Sequence, residues 1–272
     1  MTSRAITTTA ATPAPQGPGK LQRPKLDVQN LYKRFDSHGK TFVALENINL
    51  KVYPNEFVSI VGSSGCGKST LLNIVAGLTT PSDGEVLMDG APISGPGPDR
   101  GMVFQSYTLF PWLSVADNIG FGMDLRKVSK AERRERIAHY LEVVGLSQFA
   151  HTYPKQLSGG MRQRVAIARA LANDPEVLLM DEPFGALDAQ TREQMQQFML
   201  NLWEQTHITI LMITHDVEEA VFLSERIYVM GAGPGHIREE ILVNLPPHCD
   251  EDSRLMPEFL QVKRQVIHAL HH

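Results

Sequence analysis

Two stretches near the start of the chain alternate apolar and polar side chains, over residues 26–35 and 42–53. Alternation with a period of two is typical of β-strands that bury one face. The polar residues 36–40 between them predict a turn, and the continuous apolar run at 57–61 predicts a fully buried strand. The pattern therefore predicts an antiparallel β-region that leads into the core of the fold.

The spacing of apolar residues changes to a helical period between residues 106 and 172. Four apolar side chains share one face of the helix predicted over 129–146: Ile137, Tyr140, Leu141 and Val144. A second helical pattern covers residues 160–172. The sequence thus predicts a helical subdomain over about residues 106–172, inserted between two halves of a larger domain.

Strands return after this insert and alternate with helices. Apolar runs predict buried strands over 177–181, 208–213 and 226–230. Amphipathic patterns predict helices between them, over 192–205 and 217–224. Strands that alternate with helices favour a parallel sheet covered on both faces. The predicted fold class is therefore α/β, with an antiparallel β subdomain before the core and a helical subdomain within it.

The two ends of the chain differ from the middle. Residues 1–24 are rich in Thr, Ala, Pro and Gly and contain no acidic residue, which predicts a disordered tail. A transit peptide is the alternative, but arginine is sparse and no amphipathic helix is evident. Residues 25–245 are predicted to form the main domain. Residues 246–272 are too few for an independent domain and predict a short helix, which packs on its own core or contacts a second subunit.

The composition is that of an ordinary globular protein, since 42% of the 272 residues are hydrophobic and 21% are charged. The net charge of −4 gives no overall attraction to nucleic acid. Two cysteines, Cys66 and Cys249, cannot form a disulfide framework, which favours a reducing compartment. No apolar run has the length of a membrane-spanning helix, so work at a membrane would require a partner.

Residues 62–70 read GSSGCGKST and fit the phosphate-binding pattern G-x-x-x-x-G-K-[ST], between a predicted strand and a predicted helix. Glycines let backbone N–H groups crowd around phosphate oxygens, and the helix N-terminus adds the positive end of its dipole. Lys68 would contact the β- and γ-phosphates of a nucleotide, and Ser69 would bind Mg²⁺. Every residue of the loop is a candidate nucleotide ligand: Gly62, Ser63, Ser64, Gly65, Cys66, Gly67, Lys68, Ser69 and Thr70. We expect Cys66 to act as a small residue without a redox role.

Two acidic residues, Asp181 and Glu182, follow one another at the end of the predicted strand 177–181. Sheets of α/β proteins bind their ligands at the carboxyl ends of the strands. Asp181 is therefore a candidate Mg²⁺ ligand. Glu182 is placed to orient and deprotonate the water that attacks a phosphate, which is the main task left to a protein in phosphoryl transfer. Capping a helix or facing solvent is the alternative for this pair.

Three further polar residues lie at strand ends or directly after the carboxylates: Gln105, Asp188 and His215. Each of them alone would be interpreted as structural, but their shared place on the ligand side of the sheet favours a joint role. We expect Gln105 to bind magnesium, His215 to contact the γ-phosphate and Asp188 to contact a partner subunit. Gln105, Glu182 and His215 are the candidate catalytic residues.

Residues 157–171 read LSGGMRQRVAIARAL, which predicts a helix with Ser158 as its N-cap. Five further segments accompany it in a fixed order: GSSGCGKS at 62–69, Gln105, VLLMDE at 177–182, GALD at 185–188 and THD at 214–216. This set resembles the ATP-binding cassette (ABC) ATPases over about residues 26–245. The phosphate loop is shared with many nucleotidases, whereas the Ser-Gly-Gly signature in this order is much more specific.

The resemblance implies a P-loop NTPase core of the RecA-like kind that binds ATP and Mg²⁺ and hydrolyses ATP. It also implies that two cassettes, identical chains or close paralogues, hold two ATP molecules head to tail, with the signature of each serving the phosphate loop of the other. A helix N-terminus suits a γ-phosphate, and glycines permit close approach of the backbone. The signature residues that would contact the nucleotide are Ser158, Gly159, Gly160 and Met161.

Met161 departs from the family pattern, whereas Phe35 follows it. Most family members carry Gln where this chain has Met161, so we expect one polar contact fewer and modest consequences. Phe35 occupies the place where family members stack an aromatic ring on adenine, which the π-face of Phe permits. A buried strand residue is the alternative for Phe35.

The segments 100–119 and 158–171 resemble those of bacterial importers for nitrate, sulfonates, taurine or bicarbonate. This implies a peripheral subunit on the cytoplasmic face of the bacterial inner membrane, with permease subunits as partners and a solute-binding protein as an indirect partner. Phe110 and Trp112, on either side of Pro111, are predicted to line a groove for a short coupling helix of the permease.

Alternatives to this subfamily are an importer for another small solute, such as a vitamin or pyrimidine precursor, and an ABC ATPase outside transport. Relatives that act on nucleic acid insert a long coiled coil between phosphate loop and signature. This chain has only about ninety residues there, so we expect no nucleic-acid partner.

Overall fold

The computed structural model describes residues 23–37, 39–245 and 251–271. The predicted tail, residues 1–24, lies outside the described residues except for Arg23 and Pro24, and Cys249 lies outside them as well. None of the helices within the described ranges is long and apolar enough to cross a bilayer.

The smaller of two sheets is antiparallel throughout and has the strand order β2-β1-β4-β5. Its strands are β1 (Leu26–Ser37), β2 (Lys40–Val52), β4 (Asp83–Met88) and β5 (Ala91–Pro92). The two alternating stretches at the start of the chain therefore form the antiparallel pair that their pattern predicts. One face of this pair is buried and the other is open to solvent, as the period of two requires.

The larger sheet has the order β10-β9-β3-β8-β7-β6. Its strands are β3 (Phe57–Gly62), β6 (Arg100–Val103), β7 (Val177–Asp181), β8 (Thr209–Thr214), β9 (Arg226–Gly231) and β10 (His236–Leu242). All neighbours are parallel except β10, which pairs with β9 in the antiparallel sense. Strands β3 and β8 are buried along their whole length, as continuous apolar runs predict.

Seven α-helices lie within the described residues: α1 (Lys68–Val75), α2 (Val115–Leu125), α3 (Lys130–Val143), α4 (Gly159–Leu171), α5 (Ala189–Thr206), α6 (Val217–Leu223) and α7 (Pro257–His271). Short 3-10 turns cover Ser147–Phe149, Pro154–Gln156 and Glu251–Leu255. Five helices begin at a residue whose side chain accepts a backbone N–H of the first turn: Ser114, Ser129, Ser158, Asp188 and Asp216. Such caps satisfy donors that the helix itself leaves unpaired.

Helices α2, α3 and α4 bury an apolar cluster of their own. Three of the four side chains expected on one face of α3 and its C-cap are buried there: Ile137, Leu141 and Val144. Tyr140 is partly buried beside them. Helix α4 also contributes Ile167 to the cluster that includes the large sheet, so this helix connects the helical part to the core.

The C-terminal helix α7 packs on the core of its own chain. Phe259, Val262 and Val266 are buried in the apolar cluster of the large sheet, and α7 contacts α6, β9 and β10. Arg238 of β10 donates to the carbonyl oxygens of Ala269 and Leu270 at 3.3 and 2.9 Å, which satisfies acceptors at the helix end. Of the two arrangements that the sequence left open, packing on the chain's own core is observed.

Candidate nucleotide-binding site

The topology of the large sheet brings four separate segments together. Strands β3, β8, β7 and β6 lie side by side and parallel, so their carboxyl ends share one edge. The phosphate loop follows β3, His215 follows β8, Asp181 is the last residue of β7 with Glu182 directly after it, and Gln105 lies just after β6. This edge is where α/β sheets bind their ligands. The phosphate loop and the predicted residues Gln105, Asp181, Glu182 and His215 therefore lie along one edge of the sheet.

Glycine is required at three positions of the phosphate loop for two different reasons. The φ angles are +79° at Gly65 and +104° at Gly67, in the left-handed region that side chains disfavour. A Cβ on Gly67 would also lie 2.7 Å from Cδ2 of Leu45. A Cβ on Gly62 would lie 2.7 Å from Sγ of Cys66. Cys66 is itself buried, in keeping with a packing role.

The ammonium group of Lys68 lies against the backbone of the phosphate loop. The side chain is only 4% exposed, and Nζ donates to the carbonyl oxygens of Gly62 and Ser63 at 2.8 and 3.1 Å. Nζ also lies 3.8 Å from Oε1 of Glu182. A fixed cation therefore lies between the loop and the carboxylate at the end of β7.

Glu182 is the point on which the other side chains converge. Its Oε2 accepts from Nε2 of Gln105 at 3.3 Å and lies 3.0 Å from Nδ1 of His215. Its Oε1 faces the ammonium group of Lys68. Glu182 has a φ angle of +43°, an uncommon conformation for a residue with a side chain. Three residues from the segments that follow β3, β6 and β8 thus contact a single carboxylate, which makes Glu182 the centre of the site.

Asp181 and Ser69 form the part of the site suited to a metal ion. The hydroxyl of Ser69 donates to Oδ1 of Asp181 at 3.1 Å. Burial raises the pKa of Asp181; the bond from Ser69 opposes this shift, and the charge of Glu182 adds to it. A divalent cation would favour the ionised carboxylate.

The donor atoms at this point fit magnesium. The hydroxyl of Ser69 and the carboxylate of Asp181 are in contact and supply oxygen ligands, which Mg²⁺ prefers. Gln105 contacts the neighbouring Glu182 through Nε2, and its amide oxygen would be a third oxygen ligand. In the described parts of the chain, no group of three or more His, Cys, Asp and Glu side chains could hold a metal ion. Mg²⁺ sites commonly take one or two carboxylates and complete their shell with phosphate oxygens and water.

Phe35 lies on the outer face of β1 rather than in the core. Its side chain is 42% exposed, and Nζ of Lys33 lies 4.9 Å from its ring centroid. Phe35 pairs with Phe42 of β2, and Leu45 of the same strand contacts the phosphate loop. The hairpin therefore presents an accessible aromatic face on the strand pair that adjoins the loop.

The signature helix α4 begins on the surface. Ser158 is exposed, and its Oγ accepts the backbone N–H of Met161 at 3.3 Å. Helix α4 contacts α2, α3, α5 and β6. Across the described chain, no hydrogen bond or ion pair joins residues 158–161 to the chain's own phosphate loop. The start of α4 is thus available to another molecule.

The glycines that begin α4 also have a packing role inside the chain. A Cβ on Gly160 would lie 2.7 Å from Cγ2 of Thr191 at the start of α5. A Cβ on Gly159 would lie 3.2 Å from the hydroxyl oxygen of Tyr107. These packing contacts are a second reason for glycine at both positions, beside the predicted approach of a phosphate, and Gly160 is buried against α5.

The neighbouring Asp188 has a structural role of its own. It is exposed, and its Oδ1 accepts the backbone N–H of Thr191 at 3.0 Å as the N-cap of α5. This backbone hydrogen bond lowers the pKa of Asp188. Met161 is partly buried against the cluster of α2, α3 and α4. Asp188 and Met161 therefore both help to fix the two adjoining helix starts.

The sequence reasoning missed the contacts that hold the loop after Gln105. Arg169 of α4 donates to the carbonyl oxygen of Thr108 at 2.8 Å, to its hydroxyl at 2.9 Å and to the carbonyl oxygen of Tyr107 at 3.3 Å. The guanidinium of Arg162 lies 5.2 Å from the ring centroid of Tyr107. These two arginines are two helical turns apart on α4, and that spacing was the signal available in the sequence.

A groove of about 560 Å³ lies between the sheet and the helical region. Its apolar wall is formed by Phe104, Phe110, Phe121 and Leu125, and its basic side chains are Arg100, Arg126 and Arg169. Trp112 is 70% exposed, with its ring 5.7 Å from that of Phe110, but it stands beside the groove rather than in its wall.

These features define a class of protein, the α/β nucleotide-binding proteins with a phosphate loop. Two carboxylates lie at the end of β7, and the start of α4 is exposed. The family described as ABC transporter matches residues 45–185. The nitrate import ATP-binding protein NrtD of Synechocystis is 53% identical over 221 residues, which cover 81% of this chain and 83% of the relative. The bicarbonate transport ATP-binding protein CmpC of Synechococcus elongatus is 48% identical over 248 residues, which cover 89% of this chain and 37% of the relative.

Two solved structures share the fold. The dimeric post-hydrolysis state of the ATP-binding cassette MJ0796, bound to ADP and Pi, is 37% identical with a TM-score of 0.71, covering 80% of this chain and 99% of that one. The structure of cbiO1 from Clostridium perfringens, part of the transporter complex cbiONQ, is 25% identical with a TM-score of 0.73, covering 91% and 98%. The chain therefore belongs to the ABC transporter family. It is an ATP-binding, ATP-hydrolysing member of that family.

Proposed function

We propose that this chain is the motor subunit of an ABC importer, in which two cassettes close head to tail on two Mg²⁺-bound ATP molecules. The observation that carries the proposal is that the predicted site residues lie in two separate parts of the chain. The side chains of Lys68, Gln105 and His215 all contact the carboxylate of Glu182. Ser158, by contrast, is exposed at the start of α4. One chain thus supplies two half-sites, and each half-site needs a second copy or a close paralogue to complete it.

The first half-site binds the nucleotide. Backbone N–H groups of the phosphate loop and the start of α1 surround the phosphates, and Lys68 supplies the cation beside them. The exposed ring of Phe35 stacks on adenine. Ser69, Asp181 and Gln105 would hold Mg²⁺, which when bound neutralises charge on the phosphates.

Glu182 is the residue that acts on water. It accepts the proton of the attacking water on a carboxylate oxygen, and its contacts with Gln105 and His215 fix the direction of that carboxylate. His215 is 58% exposed at the sheet edge, so its ring can also contact the γ-phosphate. Positioning and electrostatics account for most of the catalysis of phosphoryl transfer, which fits a site built of oriented polar side chains.

The second half-site comes from the partner. Ser158 and the unpaired N–H groups at the start of α4 contact the γ-phosphate held by the other chain. Asp188, exposed beside them, contacts the partner subunit. The dimeric state of MJ0796 with ADP and Pi supports this arrangement, since that cassette shares 37% of its sequence with this one.

The groove beside α2 is the proposed contact with the membrane. Its aromatic wall suits the apolar face of a short helix, and helix-in-groove docking is a common recognition mode. The loop from Gln105 to Phe110 runs from the catalytic carboxylate to this groove, and Arg169 ties it to α4. Movement of a coupling helix in the groove would therefore be transmitted to both half-sites. The chain works on the cytoplasmic face of the inner membrane with permease subunits and, indirectly, a solute-binding protein.

The solute is proposed to be of the nitrate, sulfonate, taurine or bicarbonate type. The relatives named for nitrate and bicarbonate import are about equally similar to this chain, with 53% and 48% identity. Uptake of labelled nitrate and bicarbonate by vesicles that contain the complex would distinguish these two anions. Uptake of a vitamin or pyrimidine precursor, and of none of the anions, would contradict the solute class.

Substitutions at the groove should separate nucleotide binding from membrane docking. We expect Trp112→Ser and Leu125→Glu to keep ATP affinity and to reduce co-purification of the membrane subunit by roughly tenfold or more, because exposed aromatic and apolar anchors often dominate an interface. Both side chains are about 70% exposed, so the fold should be unaffected. The measurement is the molar ratio of the two subunits after affinity purification.

The matched control is Leu242→Ser, which removes a side chain that is 54% exposed on β10, outside the groove. This variant should recover the membrane subunit as the wild type does. Unchanged recovery with Leu125→Glu in the groove wall and with Trp112→Ser beside it would rule out the groove as the docking site. An equal loss of the membrane subunit with Trp112→Ser, Leu125→Glu and Leu242→Ser would show that the effect is not specific to the groove.

A further inference from the structure

The residues on both sides of His215 are tied to the first turn of α6. The backbone N–H of Asp216 donates to Oγ1 of Thr214 at 3.0 Å. The carboxylate of Asp216 accepts the N–H groups of Glu218 and Glu219 at 2.9 and 3.1 Å. The hydroxyl of Thr214 in turn donates to the carboxylate of Glu219. The backbone of His215 is therefore held between two anchored neighbours.

Glu219 is a buried acid that makes no contact with the nucleotide site itself. The residue is 4% exposed, and its carboxylate accepts from Thr214 and from Nε2 of Gln196 at 3.4 Å. Burial raises the pKa of Glu219 to about 7, and the hydrogen bond from Thr214 opposes the shift. A buried polar group with few partners is costly to leave unpaired. The position of Glu219 therefore depends strongly on Thr214 and Gln196.

Arg254 determines which end of the Gln196 amide faces Glu219. Gln196 is 2% exposed, and its Oε1 accepts from Nη2 of Arg254 at 2.6 Å. An amide side chain has one acceptor end and one donor end. Because Arg254 occupies the acceptor end, the NH₂ group must point to the carboxylate of Glu219.

Arg254 belongs to the C-terminal extension rather than to the α/β core. It lies in the 3-10 turn before α7, with its guanidinium 4.4 Å from the ring centroid of Phe222. Arg254 and Lys263 both pair with the carboxylate of Glu218, at 3.3 and 2.6 Å. Only Arg254 also contacts Gln196. A continuous series of contacts thus runs from the extension through Gln196 and Glu219 to the residue before His215.

We propose that Glu219 and Arg254 are positioning residues for His215, and that the C-terminal extension acts on ATP hydrolysis through them. The inference rests on the proposed function, in which His215 contacts Glu182 and the γ-phosphate. The series of contacts fixes the backbone at residues 214–216 and so the place of the imidazole ring. The phosphate loop follows a different strand, β3, and is held by its own contacts, so the effect falls on turnover rather than on ATP binding.

Three variants of the full-length chain give the first test of this series. We expect Arg254→Ala and Glu219→Ala to lower kcat by about five- to tenfold with little change in KM for ATP, since they disturb a group needed after binding. Lys263→Ala is the matched control, because it loses an ion pair to the same Glu218 but no contact with Gln196. It should keep a wild-type kcat. Thermal unfolding of each variant separates lost activity from lost fold.

The isosteric variant Glu219→Gln gives a readout that separates the contacts of this side chain from its bulk and charge. Its amide oxygen can accept from Nε2 of Gln196, and its NH₂ group can donate to the hydroxyl oxygen of Thr214. Glu219→Gln is therefore expected to keep a kcat closer to the wild type than Glu219→Ala does.

Three results would overturn the inference: equal kcat for Arg254→Ala and Lys263→Ala, losses confined to KM, or equal losses of kcat in Glu219→Gln and Glu219→Ala. His215→Ala distinguishes this failure from a failure of the proposed function. Loss of turnover in His215→Ala together with a wild-type kcat in Arg254→Ala would reject the positioning role alone. Full turnover in His215→Ala would reject the proposed role of His215 and the inference with it.

Discussion

Replacing Glu182 with Gln is expected to lower ATP turnover by roughly a hundredfold or more while ATP still binds. A general base typically contributes about 10²- to 10⁴-fold to a rate, and the amide cannot accept the proton of the attacking water. Lys68 keeps its bonds to the carbonyl oxygens of Gly62 and Ser63, so the phosphate loop should retain its shape. Without hydrolysis the ATP-closed dimer should accumulate. The measurements are steady-state phosphate release, ATP affinity and sedimentation with and without ATP.

The matched control is Glu176→Gln, just before the other end of β7, where the side chain pairs with Lys25 and is 54% exposed. Exposed ion pairs contribute little, so this variant should hydrolyse ATP at the wild-type rate. Near-normal hydrolysis in Glu182→Gln would refute the role of Glu182 as the base. Loss of ATP binding in that variant would show that the carboxylate is needed for the nucleotide rather than for water.

Mixing two inactive variants is expected to restore ATP hydrolysis. Ser158→Arg blocks the signature half-site with a bulky cation, and Lys68→Ala removes the cation of the phosphate loop. In a mixed dimer, the intact loop of the first chain meets the intact signature of the second. Equal mixing should restore about one quarter of the sites, because about half of random dimers are mixed and each has one complete site. The measurement is ATPase activity against mixing ratio at constant total protein.

The control for mixing is a chain that carries both substitutions, which has no intact half-site to donate. Added to either single variant, it should restore nothing. Because Ser158 caps α4, its replacement is expected to cost about 1 kcal/mol of stability, so the folded state of the variant must be checked by circular dichroism. An absence of recovery in the first mixture, with both chains folded and dimeric, would argue against sites shared between chains.

The strands and the place of the site could be predicted from the sequence because both depend on local patterns. Alternation over 26–35 and the apolar run at 57–61 reflect the burial of side chains directly. Placing Gln105, Glu182 and His215 together needed only the rule that parallel strands end at one edge of a sheet. The order of the strands could not be predicted in this way, although it places β6 and β8 on either side of β7 and so brings Gln105 and His215 to Glu182.

Contacts between distant segments could not be predicted in the same way. The contact of Gly160 with Thr191 depends on how closely two helix starts approach each other, and a sequence carries no pattern for that distance. Strand β10 was not predicted, because it lies at the sheet edge and most of its side chains are exposed. Edge strands bury too few residues to show a clear period.

The contacts from Arg254 through Gln196 and Glu219 toward His215 could not be predicted for the same reason. Arg254 and Gln196 are 58 residues apart, and Gln196 and Glu219 are 23 apart, so no local spacing relates them. A buried acid on a helix also resembles any other helical glutamate in the sequence. Its role becomes visible only once its burial and its partners are known.

The central claim is that one chain carries two half-sites that act only when two chains meet. ATPase activity per chain, measured over a dilution series beside the monomer–dimer distribution from sedimentation, tests it most directly. The account predicts that activity per chain falls with the fraction of dimer and vanishes where only monomer remains. Full activity per chain at dilutions that contain only monomer would contradict it.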